Sequence, residues 1–174
     1  MKVLAFAASS SKNSINKHLA SYVANQIKDA QVTLLDINDY EMPLYSEDRE
    51  KELGQPEEAK AFLNKIAESD VIVISFAEHN GTYTAAYKNL FDWTSRIDQK
   101  VFQQKPVILL ATSPGPGGAA SVLSVAQSSA PYFAAEVKGA LSVPSFYDNF
   151  DLESGVITNE QLNNQISLIV EQFN

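Results

Sequence analysis

The densest chemistry-bearing stretch is Ala8-Ser9-Ser10-Ser11-Lys12-Asn13-Ser14-Ile15-Asn16. Seven of these nine residues are polar: four serines, one lysine and two asparagines. An apolar run precedes the stretch and a helical pattern follows it, so it falls at a helix N-terminus. There the first backbone N–H groups lack partners and the helix dipole is positive, which favours an anion. The hydroxyls and Lys12 add further donors. A cap at Asn13 or Ser14 accounts for one polar residue, and the other six point to a phosphate. The stretch is not a P-loop, since GxxxxGK[ST] is absent.

Two further loops look able to meet a ligand. Ala77-Glu78-His79-Asn80-Gly81-Thr82-Tyr83 holds an Asn-Gly pair suited to positive φ, which can bring bare backbone groups to a planar heterocycle. Taken alone it reads equally as a strand-to-helix turn capped by Thr82 or Thr84. Thr112-Ser113-Pro114-Gly115-Pro116-Gly117-Gly118-Ala119 has three glycines that permit close approach of backbone to a ligand. Gly115, Gly117 and Ala120 fit G-x-G-x-x-A by accident, because that fingerprint belongs to the first strand–helix turn of its unit. One loop offers a phosphate site and two offer backbone edges, a combination that suits a phosphorylated planar cofactor.

The elements that must position these loops are legible as alternating patterns. Apolar runs at 3–7, 32–35, 71–76 and 107–111 read as strands covered on both faces, with a weaker run at 139–143 ended by Pro144. Helical spacing links Ile15, Leu19, Tyr22, Val23 and Ile27, then Ala59, Phe62, Leu63, Ile66 and Ala67. It recurs at Tyr87, Leu90, Phe91 and Trp93, at Val122, Leu123, Val125 and Ala126, and at Leu162, Ile166, Ile169, Val170 and Phe173. This alternation predicts a three-layer, doubly wound α/β domain. Its ligands belong beyond the carboxyl ends of the strands, where the strand order reverses. The polar, acidic stretch 37–56 reads as a surface excursion. Asp92 and Arg96 stand at the spacing of a helix-surface ion pair, and Trp93 reads as a core residue or, with Phe91 and Phe102, as part of an aromatic patch.

Composition narrows the chemistry. The chain has 174 residues, a length expected to make one domain over 1–174 that buries about 70% of its unfolded surface. With no cysteine it makes no disulfide, thiolate nucleophile or Fe–S cluster, and two histidines are too few for a histidine metal site. A net charge of −8 disfavours nucleic acid and anionic lipid. No apolar run nears the roughly 18 residues of a membrane span. The apolar part of the N-terminus is shorter than a secretion signal needs, so a cytoplasmic protein is expected.

At its three loops the chain resembles the NADPH-dependent FMN reductase family, which includes chromate- and quinone-reducing enzymes. The family's first loop reads approximately G-S-x-R-x-x-S-x-N, against Ser9, Ser11, Ser14 and Asn16 here, with Lys12 beside the arginine position. Its second motif, near P-E-Y-N-x-S/T-Y followed by L-K-N-x-x-D-W, stands here as residues 77–83 and Tyr87-Lys88-Asn89-Leu90-Phe91-Asp92-Trp93. The likeness runs from Met1 to about Gly139, and the second motif is its specific part.

The resemblance implies a flavodoxin-like fold with a five-stranded parallel sheet ordered 2-1-3-4-5, and a homodimer or homotetramer. It also implies noncovalent FMN and hydride transfer from NADPH or NADH through flavin N5 to quinone, flavin or similar small acceptors. By that analogy Ser9, Ser11, Lys12, Ser14, Ile15 and Asn16 hold the phosphate. Glu78, His79, Asn80, Gly81 and Tyr83 line the isoalloxazine, and Ser113, Gly115, Gly117 and Gly118 approach its pyrimidine end. The flavin carries the chemistry, so no protein acid or base is expected. Three departures from the family pattern stand out. Lys12 is a point charge where arginine is a fork, Ala77 and His79 replace a proline and a tyrosine, and Pro114 and Pro116 remove two N–H donors from the third loop. An electron-carrying flavodoxin and a cofactor-less interaction domain remain open on the residues alone.

Overall fold

The computed structural model describes residues 1–173. Five parallel strands form one sheet: β1 (Lys2–Ala8), β2 (Gln31–Leu35), β3 (Val71–Phe76), β4 (Pro106–Thr112) and β5 (Glu136–Val143). Their order is β2-β1-β3-β4-β5, as the resemblance implies. The chain leaves β1 toward β2 on one side and returns to β3 on the other, so the strand order reverses beside β1.

Helices cover both faces. On one lie α1 (Ile15–Asn25) and, near the C-terminus, α7 (Glu160–Val170); on the other lie α3 (Glu57–Ala67), α4 (Ala85–Ile97) and α5 (Ala120–Ser129). The period of two along each strand sorts the core accordingly. Val3, Ala5, Val71, Val73, Ile108 and Leu110 meet the α1 face, while Leu4, Phe6, Ile72, Ile74, Leu109 and Ala111 meet the α3–α5 face. Because β1, β3 and β4 are covered on both sides, they read as continuous apolar runs.

Several expectations need correction. β2 is an edge strand with Thr33 and Leu34 exposed, so it is not covered on both faces. β5 begins three residues earlier than 139, and a register shift opposite Val107/Ile108 leaves Lys138 out of the pairing and hides the alternation. The excursion at 37–56 contains a 3₁₀ turn at Ile37–Tyr40 and α2 (Glu47–Leu53). α2 buries no side chain, so it has no apolar stripe to read; Ser46 caps it, and Glu47, Asp48 and Glu50 suit its positive end. Short pieces after β5, α6 (Phe146–Asn149) and the hairpin of β6 (Phe150–Asp151) and β7 (Val156–Ile157), close the α1 face with Phe146, Phe150 and Ile157.

Candidate functional site

The three polar loops follow β1, β3 and β4, and all three emerge at the carboxyl edge of the sheet beside the reversal of strand order. Four buried or half-buried polar side chains lock them together. Asn16 is 2% exposed. Its Oδ1 accepts from Ser75 Oγ at 2.7 Å and from the Thr112 N–H at 3.1 Å, and its Nδ2 donates to the Thr112 carbonyl at 3.2 Å. The start of α1 is thereby bolted to the last turns of β3 and β4. Thr84 caps α4 through the Tyr87 N–H and donates to the Ala8 carbonyl at 3.1 Å, tying α4 to the end of β1. Glu78 Oε2 accepts from the Val122 N–H at 2.9 Å. That carboxylate serves the first turn of α5, whose N-cap Ala119 supplies no side-chain hydrogen bond. Ser142 Oγ donates to the Gly118 carbonyl at 2.7 Å.

The first loop keeps its donors. Ser14 is the cap of α1, accepting from the Lys17 N–H at 3.3 Å; this uses an oxygen lone pair and leaves the hydroxyl proton to give. The first helical bond is made by Lys17 to the Ser14 carbonyl, so the amides of Ile15 and Asn16 stand ahead of it. Ser9 Oγ accepts from the Ser11 N–H at 3.2 Å and likewise retains its proton. Lys12 is exposed and makes no ion pair among the described residues. Lys17, by contrast, pairs with Asp36 at 3.0 Å. The Asn38 N–H, followed by Lys17, holds the Asp36 carboxyl below its ordinary range. Residues 9–14 contain no acid. Amides, hydroxyls and an ammonium on a segment that carries no carboxylate of its own form a donor set that fits a phosphomonoester.

The second loop is a two-residue hairpin. His79 and Thr82 exchange both backbone hydrogen bonds, at 3.0 and 3.2 Å, around Asn80 (φ 52) and Gly81 (φ 79). Positive φ at both central residues is what the tight Asn-Gly turn requires. The turn projects into solvent, while Tyr83 folds back to share a hydrogen bond of 3.1 Å with Ser129. Burial raises the Tyr83 hydroxyl above the ordinary phenol range, an effect the Ser129 contact opposes.

In the third loop Ser113 Oγ donates to the Gly115 carbonyl at 3.2 Å, and that carbonyl also accepts from Ser145 and Gly118. The Gly118 N–H is thus engaged with the Gly115 carbonyl at 3.3 Å. The amides of Gly115 and Gly117 remain, and a Cβ at either would meet open space.

The tail of the second motif is structural. Asn89 accepts from the Tyr45 N–H at 2.8 Å and donates to the carbonyls of Met42 and Pro43 at 3.1 and 3.2 Å. Trp93, fully buried, donates from Nε1 to the Pro43 carbonyl at 2.7 Å and stands edge-on to Tyr45. Asp92 pairs with Lys88 at 2.7 Å, while Arg96 reaches Glu50 of α2 at 3.0 Å, so the expected Asp92–Arg96 pair does not form. Nor do the three aromatics make one patch. Phe91 and Phe102 join Phe133 around a cavity of about 190 Å³ between α4 and α5, and Trp93 faces the other way. Asn89→Ala is expected to release residues 42–45, seen as faster amide hydrogen exchange there with the sheet still protected.

Of the two caps the sequence offered for α4, Thr84 is the one used; sequence reasoning missed the locking roles of Ser75, Thr112 and Ser142. A signal was present: Ser75 and Thr112 are polar residues at the ends of otherwise apolar strands, and a buried polar group needs a partner.

A doubly wound sheet in this order, with an anion cradle after its first strand, defines a flavodoxin-like α/β protein. The model of the NADPH-dependent FMN reductase family matches residues 1–148, and the chain belongs to that family. Membership makes it an oxidoreductase that works with FMN and a reduced nicotinamide. It is similar to an uncharacterized protein of Mycoplasma pneumoniae, 29% identical over 92% of this chain and 98% of that one. A 2-hydroxy-1,4-benzoquinone reductase of Burkholderia sp is 34% identical over 69% of this chain and 64% of its own length. Among solved structures, the NAD(P)H:(acceptor) oxidoreductase FerB of Paracoccus denitrificans superposes with a TM-score of 0.76 at 24% identity, covering 99% of this chain and 94% of that one. No helix among the described residues is long and apolar enough to cross a membrane.

Proposed function

We propose that this chain is an FMN-dependent NAD(P)H oxidoreductase that reduces a small acceptor of the quinone or flavin kind. The observation that carries the reading is the acid-free donor cradle at the start of α1, bolted by Asn16 to the two strands whose loops complete the site. When bound, FMN supplies the capacity to take a hydride from nicotinamide and pass two electrons onward.

The protein's part is to hold and orient. The hydroxyls of Ser9, Ser11 and Ser14, the amides of Ile15 and Asn16, and Lys12 hold the phosphate. The Asn16 side chain does not touch it, being engaged with Ser75 and Thr112. The hairpin at His79, Asn80 and Gly81, with Tyr83 behind it, borders the ring. Ser113 shapes the third loop, and the amides of Gly115 and Gly117 face the ring's polar edge. Glu78 fixes the second loop against α5 and so sets the width of the slot.

We further read residues 1–174 as one flavodoxin-like domain that works in the cytoplasm as a homo-oligomer. The apolar opening between α4 and α5, beside the exposed Val125 and Tyr132, supports a face covered by a second copy. Light scattering should give at least twice the chain mass of 19.1 kDa; the monomer mass would contradict this.

The phosphate placement is tested by Ser14→Ala in an FMN titration followed by flavin fluorescence. Loss of a hydrogen bond to a charged group costs about 1.5–3 kcal/mol, which corresponds to a Kd raised roughly 10- to 150-fold. Loss of the cap should also lower stability by about 0.5–2 kcal/mol. An FMN affinity equal to the parent's would move the phosphate elsewhere.

A further inference from the structure

Pro114 and Pro116 give the third loop a particular economy of donors. Neither carries an N–H, and the Gly118 N–H is engaged with the Gly115 carbonyl. Between Pro114 and Gly118, the amides of Gly115 and Gly117 are left to meet a ligand. The peptide groups that end in the two prolines are held by their carbonyls. The Ser113 carbonyl accepts from the Phe146 N–H at 3.1 Å, and the Gly115 carbonyl accepts from the Ser145 N–H at 2.9 Å. The peptide that carries the Gly115 N–H lies between these two, so its direction is set from both ends by residues 145 and 146.

Both donors stand on a strained turn. Ser145 has φ 44 and ψ 59, the left-handed region that a side chain enters at a cost. Asn149 Nδ2 reaches back over this turn, donating to the Pro144 carbonyl at 2.8 Å and to the Ser145 carbonyl at 3.4 Å. Asn149 is itself fixed from the α7 side. Its Oδ1 accepts from Asn159 Nδ2 at 3.0 Å, and its carbonyl accepts from the Thr158 N–H at 2.9 Å. Phe146 and Phe150, buried and stacked at 4.7 Å, anchor the same segment in the α1-face core without help from the Asn149 side chain. The place of the segment and the setting of its turn are thus held by different side chains.

We propose that Asn149 is a positioning residue for the flavin: through the turn at 144–145 it aims the Gly115 N–H at the polar edge of the ring, where negative charge gathers on reduction. The proposal rests on the function proposed above and adds a residue that lies outside the three loops. A donor aimed where charge develops acts mainly on the charged state, and a hydrogen bond to a charged acceptor is roughly twice as strong as a neutral one. Correct aim therefore favours the reduced ring over the oxidised one and raises the midpoint potential of the bound flavin.

The test joins amide hydrogen exchange of the FMN-free protein to redox titration of the FMN-loaded protein against a reference dye. Asn149→Ala removes both donations to the turn. Asn159→Ala removes the bond on the α7 side and leaves both donations in place. In Asn149→Ala the Ser145 and Phe146 amides should exchange about ten-fold faster while β4 stays protected. Reduced flavin should be held about ten-fold less tightly relative to oxidised flavin, the low end for losing a hydrogen bond to a charged group. For a two-electron couple that lowers the midpoint potential by about 30 mV. Asn159→Ala should keep the parent's potential, although it loses the cap of α7. Unchanged exchange at Ser145 and Phe146 in Asn149→Ala overturns the proposal whether or not flavin binds. Faster exchange at the parent's potential means that the Gly115 amide does not face the ring, and overturns the proposal while the oxidoreductase reading stands. A shift in Asn159→Ala as large as that in Asn149→Ala overturns it as well, since the effect then comes from α7. Retained flavin that neither NADPH nor NADH reduces overturns the function reading alone, and parent protein that retains no FMN overturns both.

Discussion

Asn16→Ala is expected to lower stability by about 3–5 kcal/mol, because it leaves three buried groups without partners and each such loss costs about 1–3 kcal/mol. The groups are the Ser75 hydroxyl and the N–H and carbonyl of Thr112, and both residues are buried, at 0% and 1% exposure. Against the roughly 5–15 kcal/mol typical of a native domain, this is a large fraction. Chemical denaturation should show a lower midpoint with an unchanged slope. FMN affinity should fall as well, since the first turn of α1 loses its anchor to β3 and β4. Ser75→Ala provides the control. It removes one bond and leaves the two between Asn16 and Thr112 intact, so a loss of only about 1 kcal/mol is expected. Equal losses from the two variants would show that Asn16 is not the hub of the network.

Gly118→Ala should destabilise by about 2–5 kcal/mol, combining roughly 1–2 for the left-handed backbone with roughly 1–3 for overpacking. Gly118 sits at φ +57, where an added Cβ would lie 2.3 Å from Ser142 Oγ and 3.0 Å from the Pro144 backbone. The Ser142 hydroxyl cannot turn away without giving up its bond to the Gly118 carbonyl. Gly117→Ala, one residue earlier, meets nothing within 4 Å and has no positive φ, so its stability should stay close to the parent's. Its methyl would instead stand at the open side of the third loop and weaken FMN. Thermal melts with and without FMN separate the two. Gly118→Ala should melt early in both, whereas Gly117→Ala should differ from the parent only when FMN is present.

The two glycines mark the boundary of what the amino-acid sequence discloses. Both lie in a glycine-rich loop after a strand, which permits close approach of backbone to a ligand. Only the folded chain separates them, since Ser142 and Pro144 close on Gly118 from 24 and 26 residues away along the chain. The same limit applies to Asn16. A polar residue two positions past a cap looks like a ligand contact, and the partners of its side chain lie 59 and 96 residues away.

Local rules worked where one element decides the outcome. β1, β3 and β4 were legible because burial on both faces demands unbroken apolar runs. The cap at Ser14 and the tight turn at Asn80-Gly81 follow from side-chain and backbone preferences within a few residues. They failed where tertiary geometry intervened. β2 lies at an edge, β5 skips Lys138 in its register with β4, and α2 has no apolar side. Arg96 finds Glu50 on α2 instead of its helical neighbour Asp92. The conspicuous Asn89 and Trp93 of the second motif brace a neighbouring segment through the Pro43 carbonyl.

The most direct test of the account begins with incubating the purified protein with FMN and removing the excess by gel filtration. The loaded protein is then titrated anaerobically with NADPH, and with NADH if needed, while its visible spectrum is recorded. Flavin absorbance is expected to survive the column and to bleach on addition of reduced nicotinamide. Flavin retained but bleached by neither nucleotide would contradict the oxidoreductase reading in favour of an electron carrier. A protein that emerges colourless, and stays inactive in excess FMN, would contradict the cofactor site itself.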